Sequence, residues 1–261
     1  MDEVYTSGIL LFPKVELMMK RVWVVIPTYN EAENIEAITR AVASELERLA
    51  PACHRLLIVD DNSPDGTGRI ADQLATELDG VEVMHRSAKS GLGGAYVEGF
   101  RYALDSGAEM VVEMDADFSH DPRYLEALFE VSESAELVLG SRYVEGGGVR
   151  NWSLLRRLIS RGGSAYARRT LGVSVRDLTG GFKCIDRRVL EAIELESLRA
   201  DGYAFQIEVT YRALRVGFKV AEVPIVFTDR IAGQSKMSLK IATEAMLLVP
   251  RLRGWRPAAR V

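Results

Sequence analysis

Three short polar stretches, each following an apolar β-branched run, carry the side chains best suited to chemistry. Pro27-Thr28-Tyr29-Asn30-Glu31 follows Val22–Ile26, Asp60-Asp61-Asn62-Ser63-Pro64-Asp65-Gly66 closes Leu56–Asp60, and Asp115-Ala116-Asp117 follows Met110–Met114. Alternate residues of a strand point the same way, so carboxylates two apart, Asp115 and Asp117, converge on one cation at a strand end. Hard oxygen ligands suit Mg2+ or Mn2+, ions that also hold substrate phosphates. Such a cation offsets charge on a leaving diphosphate. An Asx-type turn leading to a helix from Pro122 is the other reading of the same pair. Ser119 is a candidate to complete the site. His120, a lone histidine, reads as a polar surface residue and is left out. Asp61 is a candidate acceptor for hydrogen bonds from a base or ribose, Tyr29 a surface for a base, and Glu31 a partner for ribose hydroxyls. Asn30 with Glu33 also resembles a capping box.

These stretches share a site only if their strands lie in one sheet. The pattern alternates strand and helix: Val22–Ile26, helix Glu33–Leu49, Leu56–Asp60, helix Thr67–Leu78, Val81–His85, a helix to about Ser106, Met110–Met114, a helix from Pro122, and Leu137–Gly140. Such alternation predicts right-handed βαβ units and a mostly parallel central sheet flanked by helices. Ligands of such sheets bind at the carboxyl ends of the strands. After Ser141 the rhythm changes to a glycine-rich loop, a helix Ser153–Leu171, a strand-like Phe182–Ile185, a helix near Tyr203–Val216, a strand Val220–Phe227 and a terminal helix Leu239–Leu252. The run Ser90–Gly94 follows the third strand and lacks Gly-x-Gly-x-x-Gly spacing, which disfavours a dinucleotide fingerprint and a nicotinamide oxidoreductase. A tight turn that lets backbone approach a ligand is the preferred reading.

The 261 residues carry 33 Lys or Arg against 37 Asp or Glu, a net charge of −4 that gives no sign of nucleic-acid binding. Between Arg150 and Arg176 there are arginines but no Asp or Glu. Such a patch holds phosphate or an anionic surface, or else is a solvated helix face. Cys53 and Cys184 form no Cys-x-x-Cys motif, which fits a reduced, cytosolic compartment. No apolar run approaches the roughly 20 residues of a membrane span. Residues 1–20 read as an N-terminal extension without the basic start of a signal peptide. The amphipathic segment 239–261, with its basic tail and Trp255, either lies in a membrane interface or packs on the core.

The segments VVIPTYNEAENI, LIVDDNSPDGT, SGLGGAYVEGF, EMDADFSHDP and LVLGSRY closely resemble the inverting glycosyltransferase family 2. RRLISRGGSAYARRTLG, DLTGGFKCI, GYAFQIEV and RIAGQSKMS resemble its dolichol-phosphate (polyprenol-phosphate) mannose synthase branch. The resemblance implies a nucleotide-diphospho-sugar transferase (GT-A, Rossmann-like) fold over residues 21–238. A nucleotide-sugar half would run to about residue 141 and an acceptor half would cover 142–238.

By the same resemblance, Pro27, Tyr29, Glu31, Val59 and Asp61 fall where the family contacts the nucleoside. Asp115, Ala116 and Asp117 match its Asp-x-Asp segment, with Asp115 and Asp117 on Mg2+ or Mn2+. Ser119 stands where some members place a glutamine ligand, so its contact must be shorter or through water. Arg142 matches an arginine between the donor and acceptor phosphates and is, with Asp117, the expected catalytic residue. Arg156 and Ser160, four apart and so on one helix face, match acceptor-phosphate contacts. Arg230 and Lys236 match a mobile basic loop that closes over the donor diphosphate. The implied reaction moves mannose from GDP-mannose to dolichyl or polyprenyl phosphate with inversion, at the cytosolic face of a membrane. Some relatives rely on a membrane-anchored partner subunit. UDP-glucose or another nucleotide sugar as donor, and a non-catalytic nucleotide-sugar-binding subunit, are the competing readings.

Overall fold

A computed structural model describes residues 20–89, 91–198, 202–229 and 239–257. β1 (Val22–Thr28), β2 (His54–Asp60), β3 (Val81–His85), β4 (Met110–Glu113) and β5 (Leu137–Ser141) alternate with α1 (Ile35–Leu49), α2 (Thr67–Glu77), α3 (Leu92–Asp105) and α4 (Leu125–Ser132). Beyond them come β6 (Gly148–Arg150), α5 (Leu154–Leu171), β7 (Lys183–Asp186), α6 (Arg187–Ala192), α7 (Gly202–Val216), β8 (Val220–Pro224), β9 (Val226–Thr228) and α8 (Leu239–Leu252). The main sheet has the order β3-β2-β1-β4-β7-β5-β8. Every pairing in it is parallel except the two made by β7, which is antiparallel to both β4 and β5. The α/β class and mostly parallel sheet expected from the sequence are those observed.

The strands are apolar throughout because both faces are covered. Trp23 and Val25 of β1 pack with Leu57, Val111, Leu139 and Ile185 against α3, α6 and α7. The alternate residues Val22, Val24 and Ile26 pack with Leu56, Ile58, Val112, Val138 and Cys184 against α1, α2 and α4. α8 joins the first of these cores through Val249 and Leu252, while Met246 and Leu247 are exposed. Tyr166 on α5 donates to the Met246 carbonyl (3.0 Å). The last turns of α8 therefore pack on the core.

Register sets the site. Thr28 pairs with Asp60 at the ends of β1 and β2, and Val25 with Glu113 at the end of β4, so these strands finish on one edge. Because β7 runs the other way, its first residue Lys183 lies beside Glu113 and Leu139. That brings the preceding segment, residues 177–182, to the same edge.

Three local expectations are corrected. The Asn30–Glu33 capping box does not form: α1 begins at Ile35, and the Asn34 amide donates to Glu31 Oε2 (3.0 Å). Asn30 instead adopts the left-handed conformation (φ 56°) that turns the chain off β1, one that asparagine tolerates. The helix at Pro122 starts as a single 3-10 turn, with the Asp121 carboxylate capping the Arg123 N–H, before α4 takes over. The strand expected over Val220–Phe227 is two strands in two sheets. β5 ends at Ser141 opposite Pro224, which has no N–H to extend the ladder. The chain crosses at Ile225 and pairs with β6 as β9.

Gly99 marks the closest approach of α3 to the sheet. A Cβ there would lie 2.6 Å from Val25 Cγ1 and 3.1 Å from Val59 Cγ2. Gly99→Val should cost about 1–3 kcal/mol through overpacking. It is read as a lower urea midpoint with an unchanged m-value; an unchanged midpoint would show that α3 can move away.

Candidate active site

The chain leaves β4 through a folded-back loop. The Asp115 N–H donates to His120 Nδ1 (3.2 Å) and the Ser119 N–H to Asp117 Oδ1 (3.0 Å). Between them Phe118 sits at φ 58°, a conformation bulky residues rarely adopt and one found where surroundings fix a site. Asp117 is buried, whereas the Asp115 side chain is 34% exposed. The turn reading of Asp117 is thus realised, and it leaves Asp115 facing the edge. Ser119 is buried and its hydroxyl has no hydrogen-bond partner. Among the described residues no three His, Cys, Asp or Glu side chains cluster to hold a metal unaided. Two carboxylates with an orphaned hydroxyl beside them fit Mg2+ or Mn2+, ions that complete their shells from water and substrate phosphate.

His120 is not the surface residue the sequence suggested. It is 2% exposed, stacked on Phe182 (5.0 Å between ring centroids) and edge-on to Phe227 (5.5 Å). Burial pushes its imidazole down to about 4, so it is neutral near pH 7 and Nδ1 can accept. The sequence signal was present, five residues after Asp115, but only the Phe182 stack shows that the ring turns inward.

The loops after β1, β2 and β3 form the neighbouring part of the edge. Tyr29 is partly exposed, with Lys89 Nζ 3.7 Å above its ring. Glu31 is held by the Asn34 amide, and its N–H donates to Thr67 Oγ1 (2.9 Å). Pro27 is partly exposed beside Val59, its partner in register. Val59 and Ala116 are buried in the two cores, so only their main chains are available to a ligand. Asp61 is ion-paired with Arg86, whose other nitrogen reaches Glu98 on α3 (2.8 Å). Arg86 and Lys89 were not picked out from the sequence. Their positions just beyond the third strand were the available signal.

Arg142, at the end of β5, is fixed rather than free to swing. Its Nε and Nη2 make a two-pronged contact with Asp177 (2.7 Å each), its N–H donates to Asp177 Oδ2 (2.9 Å), and Nη2 also reaches Thr179 (2.8 Å). The guanidinium lies near the rings of Tyr143, Trp152 and Phe227. Burial pushes the Asp177 carboxyl up, but the Arg142 charge and hydrogen bonds outweigh it and hold the pKa below its ordinary value.

On α5, capped by Ser153 and ended by Gly172 at φ 70°, Arg156 bonds Asp229 (2.7 Å) and lies over Trp152 (4.2 Å). Ser160 accepts from the Tyr143 hydroxyl (2.6 Å). Arg142, Arg156 and Ser160 are therefore joined through Tyr143 and Trp152. Arg230 and Lys236 lie outside the described residues. Beneath the edge Lys183 Nζ meets Glu113 Oε1 (2.5 Å) and Gln206, all buried. Burial pushes the Glu113 carboxyl up and the Lys183 ammonium down, and each is held against that by the other.

The mostly parallel sheet flanked by helices is the GT-A fold of glycosyltransferases. The chain belongs to glycosyl transferase family 2, which it matches over residues 23–194. It is similar to the polyprenol monophosphomannose synthase of Mycolicibacterium smegmatis, 47% identical over 92% of this chain and 91% of that one. It is also similar to the undecaprenyl-phosphate mannosyltransferase of Micrococcus luteus, 46% identical over 92% and 96% of the two chains. Among solved structures, glucosyl-3-phosphoglycerate synthase from Mycobacterium tuberculosis, in complex with Mn2+, UDP-glucose and phosphoglyceric acid, superposes with a TM-score of 0.67. It is 20% identical, covering 98% of this chain and 88% of that one, and shares the fold.

Asp177→Ala should cost about 3–5 kcal/mol, because it leaves the Arg142 cation buried without its partner. In the parent protein the pair's contribution is complete above the ordinary carboxylate range. It is lost as pH falls through the depressed Asp177 value. Urea midpoints measured from pH 7 to pH 3 should show that acid-side loss in the parent and a smaller one in Asp177→Ala. Parallel pH profiles would dismiss the pair as the cause.

Proposed function

We propose that this chain transfers mannose from GDP-mannose to a polyprenyl or dolichyl phosphate, with inversion, giving a β-linked lipid phosphate sugar. The observation that carries the reading is the chain of contacts from Asp115 through His120 and Phe227 to Arg142, and on through Tyr143 and Trp152 to Ser160 and Arg156. The 46–47% identity to two lipid-phosphate mannose enzymes supports it. Residues to about 141 form the donor half and 142–238 the acceptor half.

Pro27, Tyr29, Glu31, Asp61 and the main chain of Val59 and Ala116 hold the nucleoside. Asp115 and Asp117, with Ser119 directly or through water, hold Mg2+ or Mn2+, which supplies charge neutralisation of the leaving diphosphate. Arg230 and Lys236 complete the donor contacts. A lipid phosphate has a second pKa of about 6, by analogy with phosphoserine, and is largely dianionic at neutral pH. It needs orientation more than deprotonation. Arg156 and Ser160 take its oxygens, and Arg142 lies between the two phosphates. Held by Asp177 and three rings, Arg142 presents its charge without having to reorganise as the anomeric bond breaks.

The acceptor's membrane has a matching face. Ser164, Ala167 and Leu171 turn the back of α5 into the protein, while Leu154, Leu155, Leu158 and Ile159 are 46–77% exposed on its first two turns. With Arg157 and Arg161 on the same acid-free helix, this face suits an anionic bilayer surface. Among the described residues no helix is long and apolar enough to cross a membrane. We propose that the protein docks on the cytosolic leaflet by this face, its exposed leucines in the interface and its arginines toward anionic headgroups.

The decisive assay offers a panel of nucleotide sugars with Mg2+ or Mn2+ and a polyprenyl phosphate, reading lipid-linked sugar. GDP-mannose should give the product, and EDTA or Asp117→Ala should remove activity by at least ~100-fold, given that a single charge-stabilising group contributes that much. Full turnover in EDTA, or a different preferred donor, refutes the corresponding part. The double substitution Leu155→Ser/Leu158→Ser should abolish co-sedimentation with anionic vesicles and spare turnover of a short, water-soluble acceptor. Unchanged sedimentation would reject this face as the docking surface.

A further inference from the structure

Trp152 touches both arginines of the acceptor side. The guanidinium carbon of Arg142 lies 5.5 Å from its ring centre and that of Arg156 lies 4.2 Å from it. The local chain explains its place. Asn151, at φ 61°, turns the backbone out of β6, and Ser153 caps α5. Between them Trp152 is turned inward, 7% exposed, and set edge-on to Phe227 (5.3 Å between centroids) from β9, the strand that pairs with β6. The indole nitrogen is buried, and among the described residues Nε1 has no hydrogen-bond partner. A buried donor left unpaired costs stability, and a phenylalanine in the same site would carry no such cost. What an indole offers beyond a phenyl ring is the strongest aromatic hold on a cation.

The two arginines do not need that hold equally. Arg142 is already fixed by Asp177 and Thr179. Arg156 meets Asp229 through Nη1 (2.7 Å), while its Nε is buried and has no partner among the described residues. A long side chain loses rotamer freedom when held in one pose, so something must favour that pose. The Trp152 ring, at 4.2 Å, is the surface on which the Arg156 guanidinium rests. We propose that Trp152 is a positioning residue for Arg156: its ring holds that guanidinium inward, against the ring that Arg142 also touches, so that the phosphate of the lipid acceptor meets both cations already placed. The inference rests on the reading of Arg142, Arg156 and Ser160 as the acceptor-phosphate site and adds the group that orders it. A cation held in its bound pose lowers the ordering cost of the ligand. The effect falls on the acceptor, since Arg156 belongs to that side.

The test is calorimetric binding of a short, water-soluble polyprenyl phosphate and, separately, of GDP with Mn2+. Five full-length proteins are compared: the parent, Trp152→Leu, Trp152→Phe, Arg156→Ala and the double variant Trp152→Leu/Arg156→Ala. The melting temperature of each is also measured. Trp152→Leu should weaken lipid-phosphate binding by ~10-fold, within the range of a desolvated cation–π contact, and leave GDP with Mn2+ bound as in the parent. Trp152→Phe should fall between Trp152→Leu and the parent, with a melting temperature equal to the parent's or higher. The double variant should bind the lipid phosphate as weakly as Arg156→Ala and no weaker, because one residue acts through the other. If Arg156→Ala weakens the acceptor and Trp152→Leu binds it like the parent, the acceptor site stands and the role of Trp152 is overturned. Losses that multiply in the double variant, or an equal loss of both ligands in Trp152→Leu, overturn it as well. If Arg156→Ala binds the acceptor like the parent, the acceptor reading fails and this inference with it. Should Trp152→Leu not fold, Trp152→Phe, alone and combined with Arg156→Ala, decides the same comparisons.

Discussion

Glu113 and Lys183 face each other from neighbouring strands with no access to water, and the edge that carries Asp115 and Arg142 is built on that pair. Two opposite charges in such a place are costly to bury and more costly to separate. Their registry fixes where β7 meets β4. The position of β7 in turn decides where the chain before it, including Asp177, reaches the edge. Arg142 then finds Asp177, and through Tyr143 and Trp152 the stance of α5 is tied to the same framework. A charge pair buried beneath the edge thus aligns the loop after β4 with Arg142 and α5.

The loops on this edge are held in costly conformations. Asn30, Asn62 and Phe118 follow β1, β2 and β4, and all three have positive φ near 57°. Two are asparagines, which pay little for it. Phe118 pays more, and the turn it makes returns the chain so that His120 can receive the Asp115 N–H. The acidic pair is therefore set by backbone hydrogen bonds before any ligand arrives, which lowers the ordering cost of binding.

Much of this was legible in the sequence where cause and effect lie close together. Apolar runs such as Val22–Ile26 and Leu56–Asp60 announced the strands, and the turn-rich stretches after them announced the edge. Asp115 and Asp117 were found because they end a strand, and Arg142 because the segment LVLGSRY resembles the family's. What escaped was set by partners far along the chain. Asp177 is 35 residues from Arg142 and Lys183 is 70 from Glu113. No local pattern shows that two such groups meet in a dry interior. The inward turn of His120 depends on Phe182, the antiparallel run of β7 depends on its neighbours, and the break at Ile225 depends on where β5 stops.

The strand order has a consequence for biosynthesis. β4 and β5 lie on either side of β7, yet both leave the ribosome before residue 183 does. Until then the half-made sheet has β4 as an open edge, with hydrogen-bonding groups and apolar side chains exposed. β5 cannot lie against β4, because its place is beside a strand not yet made. The interior of the finished enzyme is thus an exterior of the nascent chain for some seventy residues of translation after Glu113. Closing so distant a pairing is slow. Such an edge is also where a growing polypeptide pairs wrongly with a neighbour, so the arrangement that makes the site rigid also makes the unfinished chain dependent on protection.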